Sequence, residues 1–159
     1  MKKQQELLIL IDIVFDQSIL PCINEIYENE CCKIECIESL GINEWKETIL
    51  DNLICSSVDI LEVITCLSHK GFLYYLPIFL QFILINYDDM DVLGDLVIDR
   101  LTPKLNNMNV PRASWIRNIY DCLTDQQRKC TQEVLLYLWE KYDDGLAEDA
   151  LNNYWFDNP

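Results

Sequence analysis

The segment FLYYLPIFLQFILIN, residues 72–86, decides which fold this chain can adopt. Proline fits the first turn of a helix and biases the residue before it away from helical angles, so we predict a helix from about Pro77 to Asn86. Because this helix is apolar on nearly every side, it needs cover from all directions and should lie at the centre. The apolar run ends at Tyr87, short of the roughly 18 to 20 residues that span a bilayer, so we predict a core helix and no membrane segment.

The sequence on both sides of this segment predicts further helices. Thr124 followed by Gln127 forms a capping box, a helix with outward acids is expected over 88–101, and a last helix is expected over 146–155. A first helix is predicted from one apolar stripe: Leu7, Leu10, Ile11 and Val14. We therefore predict an all-α fold, a compact single domain over residues 1–159, with about seven to eight helices around the central helix at about 77–86.

The eight cysteines do not predict a disulfide framework, because the chain is larger than a stapled mini-domain and nothing in it marks it for export. We expect reduced thiols and a cytoplasmic location. Cys31, Cys32 and Cys36 form the only cluster, but a zinc site needs further ligands and the single histidine, His69, lies far along the chain. We predict no metal site and no cofactor, and leave open whether the three clustered cysteines bind metal or are redox active.

Catalytic patterns are also missing from the sequence. His69 adjoins Lys70 and has no evident partner for a nucleophile and base arrangement. With four glycines the chain has no phosphate-binding loop, and its acidic runs do not follow the ligand spacing of a calcium-binding loop. We therefore predict no catalytic residues and a protein that is not an enzyme.

Charge is the strongest functional indication. The chain has 27 acidic and 12 basic residues, a formal net charge of -15, which disfavours nucleic acid and anionic membranes as direct ligands and favours a basic protein partner. High acidity also has a simpler interpretation, as an aid to solubility. The acids concentrate in two candidate partner-binding surfaces. The first comprises Asp88, Asp89, Asp91, Asp95 and Asp99, and the second comprises Asp143, Asp144, Glu148 and Asp149.

Four short motifs follow one another along the chain. They are NEWK at 43–46, YYLP at 74–77, LTDQQ at 123–127 and ALNNYW at 150–155. In order and approximate spacing they resemble an uncharacterised family of small bacterial all-helical proteins, over roughly residues 31–155. The resemblance implies a compact bacterial cytosolic domain and supplies no active-site residues.

These observations lead to one main functional hypothesis and two alternatives. The main hypothesis is an immunity-type inhibitor that docks on a basic toxin or effector domain and masks its active surface. The first alternative is a phage-type protein that mimics nucleic acid, although the basic pair Arg128 and Lys129 would interrupt such a surface. The second is a small enzyme of unknown reaction, with the cysteine cluster or the loop before Pro77 as its site. The sequence leaves open whether the protein is a monomer or a homodimer.

Overall fold

The computed structural model describes residues 2–16, 18–19, 21–27, 45–47, 64–89, 91–102 and 122–156. These residues contain six α-helices, which we number in chain order: α1 Lys2–Val14, α2 Ile23–Ile26, α3 His69–Asn86, α4 Asp91–Arg100, α5 Asp125–Tyr142 and α6 Gly145–Ala150. The all-α prediction is confirmed, since the only β feature in the described ranges is one antiparallel bridge, between Tyr27 and Leu67. The six described helices are fewer than the seven to eight predicted for the whole chain.

Shorter helical turns complete these elements. Two 3-10 turns cover Trp45–Glu47 and Tyr87–Asp89, and a π-helical turn over Leu151–Trp155 follows α6 directly. No helix among the described residues is long and apolar enough to cross a bilayer.

The central helix, α3, is longer than predicted. It begins at His69 because Ser68 caps it, with Ser68 Oγ accepting a hydrogen bond of 3.1 Å from the Gly71 amide. The predicted start at Pro77 is therefore wrong, and Pro77 lies inside the helix. A proline inside a helix costs roughly 3 kcal/mol, whereas burial of Phe72 and Leu76 contributes about 1.5 to 3 kcal/mol each, so packing outweighs the local penalty.

The core forms around α3, as predicted. Twelve of its residues are buried, and α1, α2 and α5 all pack against it. The Trp45 amide donates a hydrogen bond of 3.1 Å to Tyr74 Oη, which anchors the first 3-10 turn on the same helix. The apolar residues on nearly every side of α3 are thus covered by the elements that pack around this helix.

The carboxyl-terminal helices follow the predicted signals closely. In the capping box, the Gln127 amide donates to Thr124 Oγ1 at 3.3 Å and the Thr124 amide donates to Gln127 Oε1 at 3.0 Å, and α5 begins at the next residue after the threonine. Near the carboxyl terminus, Trp155 is buried and its Nε1 donates a hydrogen bond of 2.9 Å to the Leu101 carbonyl. The last helix therefore packs against the end of α4.

The amphipathic stripe of α1 is only partly as predicted. Leu7 and Ile11 are buried and Val14 is half-buried, but Leu10 is exposed. Ile9 and Ile13 on the same helix are also exposed. Helix α1 therefore leaves three large apolar side chains exposed to solvent: Ile9, Leu10 and Ile13.

Candidate functional site

The two acid-rich segments share a tripeptide that occurs twice in the chain. Tyr87-Asp88-Asp89 follows α3, and Tyr142-Asp143-Asp144 joins α5 to α6. The tyrosine rings of the two copies stack, with centroids 3.8 Å apart and planes 16° from parallel. The sequence thus contained a signal, the repeated tyrosine and acid pair, that marks where the two segments meet.

A hydrogen bond reinforces this meeting point. Tyr87 Oη donates to Asp144 Oδ2 at 2.8 Å. Partial burial raises the pKa of Tyr87 above its ordinary range, and the hydrogen bond to Asp144, the charge of Asp144 and the charge of Asp95 act in the same direction. The Tyr87 hydroxyl therefore stays protonated and lies in the field of acids from both predicted surfaces. We call Tyr87, Tyr142 and Asp144 the tyrosine junction.

Asp144 has a structural part in this junction. Its Oδ1 accepts hydrogen bonds of 2.9 Å from the amides of both Leu146 and Ala147, which caps α6, while Oδ2 accepts the bond from Tyr87. Only 8% of the residue is exposed. The sequence grouped Asp144 with surface acids, but its carboxylate is engaged on both oxygens inside the fold and offers little surface to a partner.

The neighbouring Asp143 is exposed and ends α5 in the left-handed conformation, with φ of 57°. Aspartate tolerates this conformation better than most residues, and the amide of Asp143 donates to the Trp139 carbonyl at 2.9 Å. The carboxylate is consequently held at the turn between α5 and α6.

The other predicted acids are distributed around the junction. Asp88, Asp95 and Asp149 are exposed, and Asp99 and Glu148 are half-buried. For the remaining two members of the first surface, Asp89 and Asp91, the side chains lie outside the described part of the molecule. Helix α4 packs against α6, so the two surfaces predicted separately are neighbours. We call the exposed set the acidic surface: Asp88, Asp95, Asp143 and Asp149.

Exposed apolar side chains accompany these acids, and the sequence interpretation missed them. Val92 is exposed three residues before Asp95 on α4, and Leu146 is exposed three residues before Asp149 on α6. Residues three apart lie on one face of a helix. Each helix therefore presents an apolar residue and a carboxylate side by side.

A cation, Lys141, lies against the tyrosine rings of this region. Lys141 Nζ is 4.3 Å from the ring centroid of Tyr142 and 5.2 Å from that of Tyr137, and it donates to Tyr142 Oη at 2.6 Å. The neighbouring hydroxyl groups of Tyr137 and Tyr142 raise the pKa of Lys141. The lysine therefore remains charged and is held on the aromatic cluster.

The cysteines differ from the expectation of thiols that are all reduced. Cys66 is disulfide-bonded, whereas Cys22, Cys122 and Cys130 are free. The cluster of Cys31, Cys32 and Cys36 lies outside the described residues. Within the ranges that are described, no group of three or more metal-ligating side chains occurs. His69 lies half-buried in the first turn of α3.

Comparison with known proteins gives one match. A family model described as a family of unknown function (DUF6714) matches residues 39–158. No curated protein and no solved structure matches the chain. The match covers most of the chain, including α3 to α6 and the tyrosine junction. The chain therefore belongs to this uncharacterised family of unknown function.

Proposed function

We propose that this protein is an immunity-type inhibitor, an acidic binding protein that neutralises a basic toxin or effector domain by covering its active surface. The observation that carries the proposal is the contact between its two acid-rich segments, through the stacked rings of Tyr87 and Tyr142. Two clusters that are separate in sequence thereby become parts of one surface.

Electrostatics favour a basic partner at this surface. The four acids of the acidic surface are exposed, in a chain with a net charge of -15. Carboxylates arrayed on one side of a protein accelerate encounter with a positively charged partner, and this acceleration decreases as salt rises. The charges would therefore set the rate of encounter and the orientation of docking.

Apolar and aromatic side chains would supply the binding energy that charge alone does not provide. Binding energy at protein interfaces comes mostly from a few apolar or aromatic anchors that lose their water, with polar groups at the rim. Val92 and Leu146 are exposed beside carboxylates, and Tyr87 and Tyr142 are half-buried. These four residues are the proposed anchors, and the acids are the proposed rim.

The test is charge reversal at the acidic surface. Products of the genes that flank this chain's gene are expressed and screened for a basic domain whose activity the chain inhibits. The triple variant Asp88→Lys, Asp95→Lys and Asp149→Lys is then compared with the wild type for inhibition and for Kd at several salt concentrations. We expect binding at least tenfold weaker, with a flatter salt dependence.

A matched control separates the local surface from total charge. The triple variant Asp12→Lys, Asp125→Lys and Glu140→Lys changes the net charge by the same amount, and its three residues are exposed on α1 and α5. It should retain binding near the wild-type level. Equal losses of binding in both variants would show that the effect comes from total charge and not from the acidic surface. If the chain inhibits no product of a flanking gene, the inhibitor proposal is overturned.

A further inference from the structure

A second surface, formed by α1 and α5, differs in character from the acidic one. A groove of about 520 Å³ runs between these helices. Its apolar lining comes from both helices: Leu7, Leu10, Ile13, Val14 and Cys130. Ile13 is 67% exposed at the edge of this groove, and 59% of Ile9, one turn earlier on α1, is exposed, so an apolar ridge borders the groove.

The rim of this groove is electrically balanced. Two lysines and two glutamates line it: Lys3, Lys129, Glu6 and Glu133. Over the whole chain acids outnumber bases by 27 to 12. The groove is therefore a place where a second strongly acidic molecule can approach without direct repulsion between like charges.

Two of these rim charges are available for pairing with another molecule. Lys3 pairs with Glu140 at 3.0 Å, and Glu6 lies 3.8 Å from Lys2. Lys129 and Glu133, one turn apart on α5 and both exposed, have no ion-pair partner within the described ranges. A two-fold axis across α5 would set each lysine opposite the other copy's glutamate, because in such an interface every contact occurs twice.

From the groove, the ridge and the balanced rim we propose that α1 and α5 form a two-fold interface between two copies of this chain. The exposed isoleucines of one α1 pack into the groove of the other copy, as amphipathic helices do in apolar grooves. The pairs between Lys129 and Glu133 of opposite copies fix the register. The acidic surface lies on α4, on α6 and on the turns that precede these two helices, and this proposal does not depend on its function.

The experiment measures molar mass by sedimentation equilibrium, with chain concentrations from about 1 to about 200 micromolar. We expect twice the mass of one chain at the upper end. Ile13→Glu should weaken the dimer at least tenfold. The control Ile19→Glu introduces the same charge at a residue that is 88% exposed and lines a different cleft, and it should leave the dimer intact.

Charge exchange tests the proposed register. Lys129→Glu and Glu133→Lys should each weaken the dimer, and the double variant, which has the wild-type net charge, should restore it. A double variant weaker than both single variants would contradict the pairing. A wild-type chain that is monomeric at every concentration, or a dimer that survives Ile13→Glu, or equal losses with Ile13→Glu and Ile19→Glu, would overturn the interface itself.

Discussion

Tyr87 and Asp144, 57 residues apart in the sequence, are joined by a hydrogen bond of 2.8 Å from the tyrosine hydroxyl to the aspartate Oδ2. The other oxygen of the same carboxylate caps α6. One side chain thus connects the turn after α3 with the start of α6, and α4, which lies between them in sequence, packs against α6. The arrangement of the acidic surface depends on this connection.

Removal of the hydroxyl should lower the stability of the fold. Tyr87→Phe keeps the ring that stacks on Tyr142 and removes the bond to Asp144. Hydrogen bonds to charged groups contribute about 1.5 to 3 kcal/mol, and partial exposure places this one toward the lower end, so we expect a loss of about 1 to 2 kcal/mol. Urea unfolding followed by circular dichroism measures the free energy of unfolding.

A double-mutant cycle checks that the loss comes from this bond. Asp144→Asn keeps an oxygen that can cap α6 but removes the negative charge. If the two side chains interact as described, the double variant with Tyr87→Phe loses less stability than the sum of the single variants, by about 1 kcal/mol. Strict additivity would contradict the coupling.

Gly71 and Gly145 should respond in opposite ways to alanine. A Cβ at Gly71 would lie 2.1 Å from the Ile26 carbonyl oxygen, which is backbone and cannot turn aside. Gly145, the first residue of α6, has nothing within 4 Å of a Cβ. We expect Gly71→Ala to cost about 3 kcal/mol and Gly145→Ala to be neutral or to stabilise by up to about 1 kcal/mol. Thermal and urea unfolding of both variants measure these changes in the free energy of unfolding. Similar changes in the two variants would contradict the close approach of α2 to α3.

The sequence predicted best those features that depend on neighbouring residues. The capping box of Thr124 and Gln127 fixed the start of α5, because its hydrogen bonds are local to one helical turn. The inward face of α4 also follows from helical spacing, since Leu93, Val97 and Leu101 are buried and Leu96 is half-buried.

Features that depend on tertiary contacts could not be predicted from local sequence patterns. Pro77 was a good local start signal, but burial of α3 on all sides overrides it. The hydrogen bond between Asp144 and Tyr87 could not be predicted without knowing how the end of α3 meets the start of α6. From sequence alone, an aspartate in an acidic run is expected to be solvated. The exposed Val92 and Leu146 were missed for the same reason, since apolar residues on helices are expected to face the core.

Thiol reactivity should separate the described free cysteines into two groups. Cys22 and Cys122 are exposed, whereas burial, followed by the charge of Glu133, raises the pKa of Cys130 to about 12. Because the thiolate is the reacting species, we expect iodoacetamide at about pH 8 to modify Cys130 at least a hundredfold more slowly than the other two. Peptide mass spectrometry resolves each site. In urea the three rates should converge, and fast native labelling of Cys130 would contradict its burial.

Alkaline conditions should destabilise the fold through Tyr75. Burial, together with the neighbouring Tyr27 and Tyr74, raises the pKa of Tyr75 in the folded chain. As pH rises past about 10 the unfolded chain loses this proton while the folded chain keeps it. The stabilisation is therefore complete below that pH and declines above it, by about 1.4 kcal/mol per pH unit. Urea unfolding at a series of pH values should show a slope smaller by this amount in Tyr75→Phe, and an unchanged slope would show that the hydroxyl reaches solvent.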